Sequence, residues 1–294
     1  GMLEELVLIQ SYSKNKTGVD RVGQRIASEC KKMGLSFEIM ENSSFGNTLI
    51  VRTQGSVPDK EQILITGHMD TVFPEDSGFD WYKENDTRCF GPGVADMKGG
   101  LVVGLCALDA LIHTGKMPSC PITFIFNSDE EIGSPSSRDL IAKEAQKSRL
   151  AYVLEAGGLS NDIVTGRKGN FSIQMTTTGK AGHAAFAGIK KASAILEFAH
   201  KTLEIEAMND PEKGMSANVG TVTGGIGSNT VPDNAVASLD FRFLTDTQAR
   251  HIRENVFKIA DKQTVAGTDT RMEILSSRPA MPQTPANQAL FRKI

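Results

Sequence analysis

Short apolar runs alternate with helix-like segments between residues 62 and 155, and this alternation is the strongest constraint on the fold. Strands are expected at QILITG (62–67), PITFIF (121–126) and AYVLE (151–155), with helices at 99–115 and 136–146 between them. Parallel strands need a crossover connection, usually a helix, whereas antiparallel strands can be joined by a tight turn. The pattern therefore predicts an α/β domain with a mainly parallel sheet.

After residue 165 the pattern changes to long strands with period-two alternation. The expected elements are strands at 170–179, 217–225, 234–243 and 270–277, with helices at 188–207 and 246–263. Their order, strand–helix–strand–strand–helix–strand, is that of a ferredoxin-like split βαβ unit. We therefore predict that this βαββαβ domain, residues 168–278, is inserted into a first domain formed by residues 1–167 and 279–294.

The charge balance of the chain excludes some classes of partner. Its 294 residues include 32 Lys and Arg against 35 Asp and Glu, which gives a formal net charge of -3. Because proteins that bind nucleic acid or anionic membranes usually present a basic surface, neither partner is expected. The sequence also has no run of 18 or more apolar residues. We therefore expect no membrane-spanning segment.

Cysteine usage and the N-terminal residues bear on the cellular compartment. The four cysteines, Cys30, Cys89, Cys106 and Cys120, have no CxxC spacing. The first residues, GMLEELVLIQ, lack the charged-then-apolar layout of a signal peptide. We expect a reduced, cytoplasmic protein without a disulfide framework, an expectation that leaves open a signal peptide removed earlier.

Acidic residues and one histidine follow the three predicted strands of the first domain, and a fourth acid lies in the glycine-rich segment GPGVADMKGG. These residues are His68, Asp70, Asp96, Asp129, Glu130, Glu131 and Glu155. Ligands of open α/β sheets bind beyond the carboxyl ends of the strands, so we expect these side chains to converge there. One imidazole with several carboxylates is a ligand set for zinc, cobalt or manganese, and carboxylates can bridge two ions.

Each of these residues has a simpler interpretation when it is taken alone. The Asp129–Glu131 triplet is typical of a solvated loop, and Asp96 could cap the helix that follows it. However, two unit charges about 4 Å apart repel by roughly 4 kcal/mol at an effective dielectric near 20, so acids gathered at one edge favour a bound cation. GPGVADMKGG has neither dinucleotide nor P-loop spacing, and we reject a nucleotide site there.

Four motifs in this order, GHMDTV, GPGVADMKGG, FNSDEEIGS and YVLEA, resemble the co-catalytic zinc peptidases. That family includes glutamate carboxypeptidase, acetylornithine deacetylase, aminoacylase and succinyl-diaminopimelate desuccinylase. The stretches SDEEIGSPSSRDLI and TGKAGHA are most similar to the glutamate carboxypeptidase branch. The resemblance extends over residues 5–285, which is nearly the whole chain.

The resemblance implies two zinc ions per subunit, with Co²⁺ or Mn²⁺ as alternatives. Asp96 would bridge the two ions, His68 and Glu155 would complete one site, and Glu131 would belong to the other. Glu130 matches the general base, which takes a proton from water and passes it to the leaving amine.

Four further positions match the family's supporting and substrate-binding residues. Asp70 would orient the imidazole of a metal-binding histidine. His183 matches a lid histidine that helps to polarise the scissile carbonyl, often in the partner subunit. Asn229 and Arg242 match positions that bind a substrate carboxylate or the tetrahedral oxyanion, a role that suits the planar guanidinium. The resemblance also implies a homodimer formed through the second domain.

Two functions therefore remain open from the sequence. The first is a metal-dependent hydrolase of amide bonds in small carboxylate-bearing substrates, such as peptides or N-acyl amino acids. The family pattern includes a last histidine ligand near its C-terminus, which has no match before Ile294. The second function is accordingly a truncated, non-catalytic family member that binds metal or peptide or dimerises, and for a truncated form we expect weak or absent activity.

Overall fold

A five-stranded sheet is the centre of the first of two units, Gly1–Asn161 and Asp162–Ile294. The computed structural model describes residues 1–53, 62–158, 160 and 162–294. The strands of the first unit are β1 (Ser36–Met40), β2 (Thr48–Arg52), β3 (Gln62–His68), β4 (Lys83–Glu84), β5 (Cys89–Phe90), β6 (Ile122–Asn127) and β7 (Ser148–Val153). The sheet has the order β1-β2-β6-β3-β7, and β4 pairs with β5 in a separate hairpin.

The strand directions make this sheet mixed. Strand β3 is parallel to both β6 and β7, as the alternation with helices predicts. Strand β2 is antiparallel to both β1 and β6. The α/β class is thus confirmed, but β1 and β2 were not predicted. All but the last residue of β1 are exposed, so its sequence, SFEIM, has no buried apolar face to mark it as a strand.

Helices cover both faces of the sheet. They are α1 (Met2–Val7), α2 (Lys16–Lys32), α3 (Gly99–His113) and α4 (Arg138–Gln146). Every residue of β6 is buried. Phe124 and Phe126 pack in one core with α2 and α3, whereas Ile125 packs on the other side against α4. This division follows from the alternation of side chains along a strand.

The second unit has a four-stranded antiparallel sheet of order β10-β12-β8-β13. Its strands are β8 (Gly169–Thr178), β9 (Gly182–His183), β10 (Ser216–Gly224), β11 (Thr230–Val231), β12 (Asn234–Phe243) and β13 (Asp269–Arg278), and its helices are α5 (Ala194–Glu206), α6 (Asp246–Asp261) and α7 (Pro285–Phe291). Alternate residues of β8 and β12 are buried against α5 and α6. The helix predicted over 188–207 begins only at Ala194, because Ser193 caps it by accepting from the backbone N–H of Leu196.

A buried ion pair lies within α5, and its lysine also connects this helix to α6. Nζ of Lys201 lies 2.9 Å from Oε1 of Glu197, and both side chains are almost completely buried. Lys201 also donates to the carbonyl of Ile259 at the end of α6. Glu197 accepts from the backbone N–H groups of Thr264 and Val265. Burial raises the pKa of Glu197, but these hydrogen bonds, led by that from Lys201, outweigh it and hold the pKa below its ordinary value.

The boundary between the units lies close to the predicted one. Residues 279–294 belong to the second unit in this structure. There the backbones of Arg167 and Met281 exchange two hydrogen bonds, of 2.8 and 2.9 Å. The division into 1–167 with 279–294 and 168–278 stays a prediction. Among the described residues, no helix has both the length and the apolar character needed to cross a membrane.

Candidate metal centre

His68, Asp96 and Glu155 form a cluster at the carboxyl edge of the first sheet. Nε2 of His68 lies 2.9 Å from Oδ1 of Asp96 and 3.4 Å from Oε1 of Glu155. One ligand atom from each residue lies within 4.8 Å of the other two. His68 is buried, while the two carboxylates are exposed. A nitrogen donor with two carboxylate oxygens at these separations fits one divalent ion such as zinc.

The sheet register explains why two of these residues meet. His68 is the last residue of β3, and Glu155 follows β7 by two residues. The parallel pairing places Thr66 opposite Val153, so residues 68 and 155 are at equivalent positions beyond it. Asp96 comes from the turn Val94–Lys98, which begins after a glycine and leads directly into α3.

Asp70 connects the histidine with the segment that bears the next two acids. Its carboxylate is completely buried. Nδ1 of His68 lies 3.4 Å from Oδ1 of Asp70 and 2.9 Å from its backbone oxygen. The backbone N–H groups of Glu130 and Glu131 donate to the two carboxylate oxygens, at 3.1 and 3.3 Å. Ser13 Oγ donates to Oδ2 at 2.7 Å. Asp70 can therefore hold the proton on Nδ1, which leaves Nε2 for a ligand role.

The three consecutive acids after β6 have different environments. Asp129 is buried, and its carboxylate accepts from the backbone N–H and hydroxyl groups of Ser136 and Ser137, just before α4. It was grouped with the acids expected to converge, but these four donors hold it in a structural role instead. Glu130 and Glu131 lie in the short helical turn Glu130–Ile132. The backbone N–H groups of these two acids contact Asp70, which in turn contacts His68.

The electrostatics of Glu131 reflect crowding of negative charge. Partial burial, then the carboxylate of Asp96, raises the pKa of Glu131 to about 7. Asp70 and Glu130 add to this effect, and His68 opposes it. Glu131 is nevertheless not one of the three residues whose ligand atoms cluster. Such a gathering of like charges is stabilised by a cation.

Neighbouring acids also raise the pKa of the His68 imidazole, and for this group they favour the charged form. Burial lowers its pKa, but hydrogen bonds with Asp70 and Glu155, together with their charges, outweigh burial and raise the pKa to about 11. The acids around His68 thus attract positive charge. A divalent ion bound at this position would interact favourably with the same acids.

Two residues of this region were missed by sequence reasoning. Lys98 is buried, and its Nζ donates to the carbonyl oxygens of Leu6 and Ile9. Burial lowers the pKa of Lys98 to about 7. Ser13 donates to Asp70, as described above. The signal for Lys98 was its position in GPGVADMKGG directly before an apolar helix, whereas no local pattern indicates Ser13.

The structure brings together only two of the three predicted substrate-binding residues of the second unit. His183 pairs with Thr230, and the backbone N–H of Ala184 donates to the carbonyl of Asn229. Asn234, five residues after Asn229, is the first residue of β12, and Arg242 lies eight residues further along the same strand. At about 3.3 Å per residue, that distance is about 26 Å. Arg242 forms a two-pronged ion pair with Asp240.

Comparison with known proteins identifies the family. The model of Peptidase family M20/M25/M40 matches residues 64–289. Carboxypeptidase G2 of Pseudomonas sp. (strain RS-16) is 28% identical over 283 residues, which cover 95% of this chain and 68% of that protein. Succinyl-diaminopimelate desuccinylase of Herminiimonas arsenicoxydans is 27% identical over 281 residues, which cover 89% of this chain and 72% of that protein.

Solved structures share the fold. The aminopeptidase PepT of Bacillus cereus ATCC 10987 matches with a TM-score of 0.77 and 22% identity, covering 98% of this chain and 78% of that one. The metallo-carboxypeptidase Sso-CP2 of Sulfolobus solfataricus matches with a TM-score of 0.70 and 18% identity, covering 95% and 78%. Because the family model matches residues 64–289, which is most of this chain, the chain belongs to Peptidase family M20/M25/M40, a family of metal-dependent peptidases and amidohydrolases.

Proposed function

We propose that this protein hydrolyses amide bonds in small substrates that bear a carboxylate, namely peptides or N-acyl amino acids. The observation that supports this proposal most strongly is the convergence of His68, Asp96 and Glu155, whose ligand atoms lie within 4.8 Å of one another. Membership of a family of metal-dependent hydrolases supports the same chemistry. The names of the relatives, a carboxypeptidase and a desuccinylase, suggest the substrate class.

The proposed cofactor is Zn²⁺, two ions per subunit, with Co²⁺ or Mn²⁺ as alternatives. His68, Asp96 and Glu155 would hold one ion, and Asp96 with Glu131 would contribute to the second. The influence of Asp96 on the pKa of Glu131 supports this pairing. When bound, such ions would supply Lewis acidity that polarises a carbonyl and lowers the pKa of water.

The proposed general base is Glu130. Asp70 fixes the backbone of Glu130 through its N–H group, so the position of the base is coupled to that of His68. Glu130 would accept a proton from the attacking water and donate it to the leaving amine. Asp70 would orient the imidazole without contacting the substrate.

His183, Asn229 and Arg242 are the proposed substrate-binding residues, and their separation supports a homodimer. A dipeptide spans only about 7 Å when extended, so it cannot contact both ends of β12. Two subunits could instead contribute His183 with Asn229 from one copy and Arg242 from the other. His183→Ala and Arg242→Ala should each be inactive, and mixed dimers of the two variants should recover activity. Mixed dimers without any recovery would exclude this arrangement.

The proposed domain roles follow from this arrangement. Residues 1–167 with 279–294 would form the catalytic domain, and residues 168–278 a lid and dimerisation domain. The separate cores of the two units support the division near residue 167, whereas residues 279–294 lie in the second unit of this structure. A cytoplasmic location is part of the same proposal.

The test is hydrolysis of a panel of dipeptides and acyl-glutamates, with and without a metal chelator. Glu130→Gln should lower the rate by about 10²- to 10⁴-fold and leave the metal content unchanged. Glu41→Gln, at an exposed acid of the same unit, is the matched control and should be fully active. Cleavage that persists in chelator would refute metal catalysis. Metal binding without any hydrolysis across the panel would instead favour the non-catalytic alternative.

A further inference from the structure

Lys98 attaches the segment that bears Asp96 to the N-terminal region of the chain. Its side chain is only 1% exposed, and Nζ donates to the carbonyls of Leu6 at 2.8 Å and of Ile9 at 2.9 Å. Leu6 lies in the last turn of α1, where helix carbonyls lack intrahelical partners and the helix dipole favours a cation. A buried amine without partners would be strongly destabilising, so these two acceptors fix its position.

The turn between Asp96 and Lys98 is short and closed. The backbone N–H of Lys98 donates to the carbonyl of Gly93 at 2.8 Å, which encloses residues 94–97 in one loop. Only Met97 separates the lysine from Asp96, and Met97 is completely buried in the core. A displacement of Lys98 would therefore be passed to Asp96 with little room for compensation.

The same N-terminal region also contacts the other side of the cluster. The hydroxyl of Ser13 donates to Oδ2 of Asp70 at 2.7 Å, and Ser13 is 1% exposed. The backbone N–H of Thr71 donates to the carbonyl of Ser11, and that of Ser13 donates to the carbonyl of Thr71. Residues 6–13 thus contact Lys98, two positions after Asp96, and Asp70, two positions after His68.

We infer that residues 6–13, the N-terminal brace, hold Asp96 and His68 in the geometry that binds metal, with Lys98 and Ser13 as positioning residues. The inference rests on the proposed function, because it concerns the metal site assigned there. Neither residue touches a ligand atom of the cluster. Each acts through its neighbour: Lys98 through the turn of Asp96, and Ser13 through Asp70.

A merely structural role makes a different prediction, and Lys201 provides the matched control. Lys201 is also a buried lysine that donates to carbonyls at the C-terminal end of a helix, those of Ile259 and Ala260. It lies in the second unit. Lys98→Met and Lys201→Met both remove a buried lysine that donates to carbonyls at a helix end, and Lys201→Met also breaks the ion pair with Glu197, which makes it the more severe control for stability. Only Lys98→Met should weaken metal binding.

The experiment measures Zn²⁺ affinity of the full chain by competition with a chromophoric chelator. Loss of a residue that supports metal ligands weakens metal binding by about 10- to 100-fold, and we expect this for Lys98→Met and, near the lower limit, for Ser13→Ala. Lys201→Met should bind zinc like the wild type, although it unfolds at lower denaturant concentration. In metal-free protein, amides of residues 94–98 should exchange hydrogen faster in Lys98→Met than in the wild type.

Wild-type zinc affinity and wild-type exchange in folded Lys98→Met and Ser13→Ala would overturn the brace and leave the proposed function intact. If Lys98→Met does not fold, Ser13→Ala decides, because it removes a single hydroxyl. A wild-type protein that binds no zinc would overturn both the proposed function and the brace. The two failures are therefore distinguishable.

Discussion

Nε2 of His68 lies 2.9 Å from Oδ1 of Asp96, although 28 residues separate the two along the chain. The strand β3 positions the histidine, and a closed turn before α3 positions the acid. Glu155 joins them because β7 runs parallel to β3. The candidate metal cluster thus results from backbone elements that are buried in one core, and its supporting contacts can be tested individually.

Replacement of Asp70 should damage both folding and metal binding. In Asp70→Asn, an amide NH₂ would face one of the donors that now bind the carboxylate, from Ser13, Glu130 or Glu131. An unsatisfied buried group of this kind costs about 1–3 kcal/mol, which denaturant unfolding will measure. Zinc affinity should fall by about 10- to 100-fold, since the orientation of His68 is also lost. Asp86→Asn, at an exposed acid of the same unit, is the control and should change neither quantity.

The acids at 129 and 131 should respond differently to neutralisation. Asp129→Asn should lower the free energy of unfolding by about 1–3 kcal/mol, because Asp129 accepts from the hydroxyl and N–H groups of Ser136 and Ser137. Glu131→Gln should leave metal-free stability unchanged or increase it, since repulsion from Asp96 is relieved. Zinc affinity should fall more in Glu131→Gln than in Asp129→Asn. The reverse order of the two effects would contradict these roles.

Gly100 should be much less tolerant of a side chain than Gly23. A Cβ at Gly100 in α3 would lie 2.0 Å from the carbonyl oxygen of Leu154, next to Glu155. Gly100→Ala should destabilise the protein by about 1–3 kcal/mol and weaken zinc binding. A Cβ at Gly23 in α2 would meet Met69 at an ordinary 3.4 Å. Gly23→Ala should therefore stabilise by about 0.5–1 kcal/mol. Thermal unfolding of the two variants compares them directly.

The buried pair of Glu197 and Lys201 should make stability depend on acid pH. Because the folded-state pKa of Glu197 is below its ordinary value of 4.5, its contribution is present above that value and is lost as the pH falls through the folded pKa. Denaturant unfolding from pH 6 down to pH 3 should show this loss. Glu197→Gln should show a shallower pH dependence and lower stability at neutral pH, because Lys201 loses its buried partner. An equal slope in both proteins would contradict the assignment.

The sequence predicted those parts of the molecule that depend on local patterns. The period-two alternation in β8 and β12 identified their buried faces. The convergence expected for His68 and Glu155 at the strand ends and for Asp96 in the glycine-rich segment agrees with the candidate cluster of these three residues. The buried faces could be predicted because successive side chains of a strand point to opposite faces of the sheet, so the apolar positions mark the buried face.

Other features depend on contacts between distant parts of the chain. The bond from Ser13 to Asp70 spans 57 positions, and that from Lys98 to Leu6 spans 92. No local pattern marks Ser13, and although GPGVADMKGG marks Lys98, nothing in that segment indicates that its partner is Leu6. The structural role of Asp129 was missed for a related reason: a run of three acids gives no sign of which one will turn towards Ser136 and Ser137. Pairwise hydrogen bonding, rather than periodicity, decides such cases.

Titration of metal-free protein with Zn²⁺ tests the central claim most directly. The test variant is His68→Ala, and the control is His113→Ala, because His113 is exposed on α3. We predict tight zinc binding by the wild type and by His113→Ala, and loss of tight binding in His68→Ala. Equal zinc affinity in all three proteins would contradict the assignment of the metal centre to His68, Asp96 and Glu155.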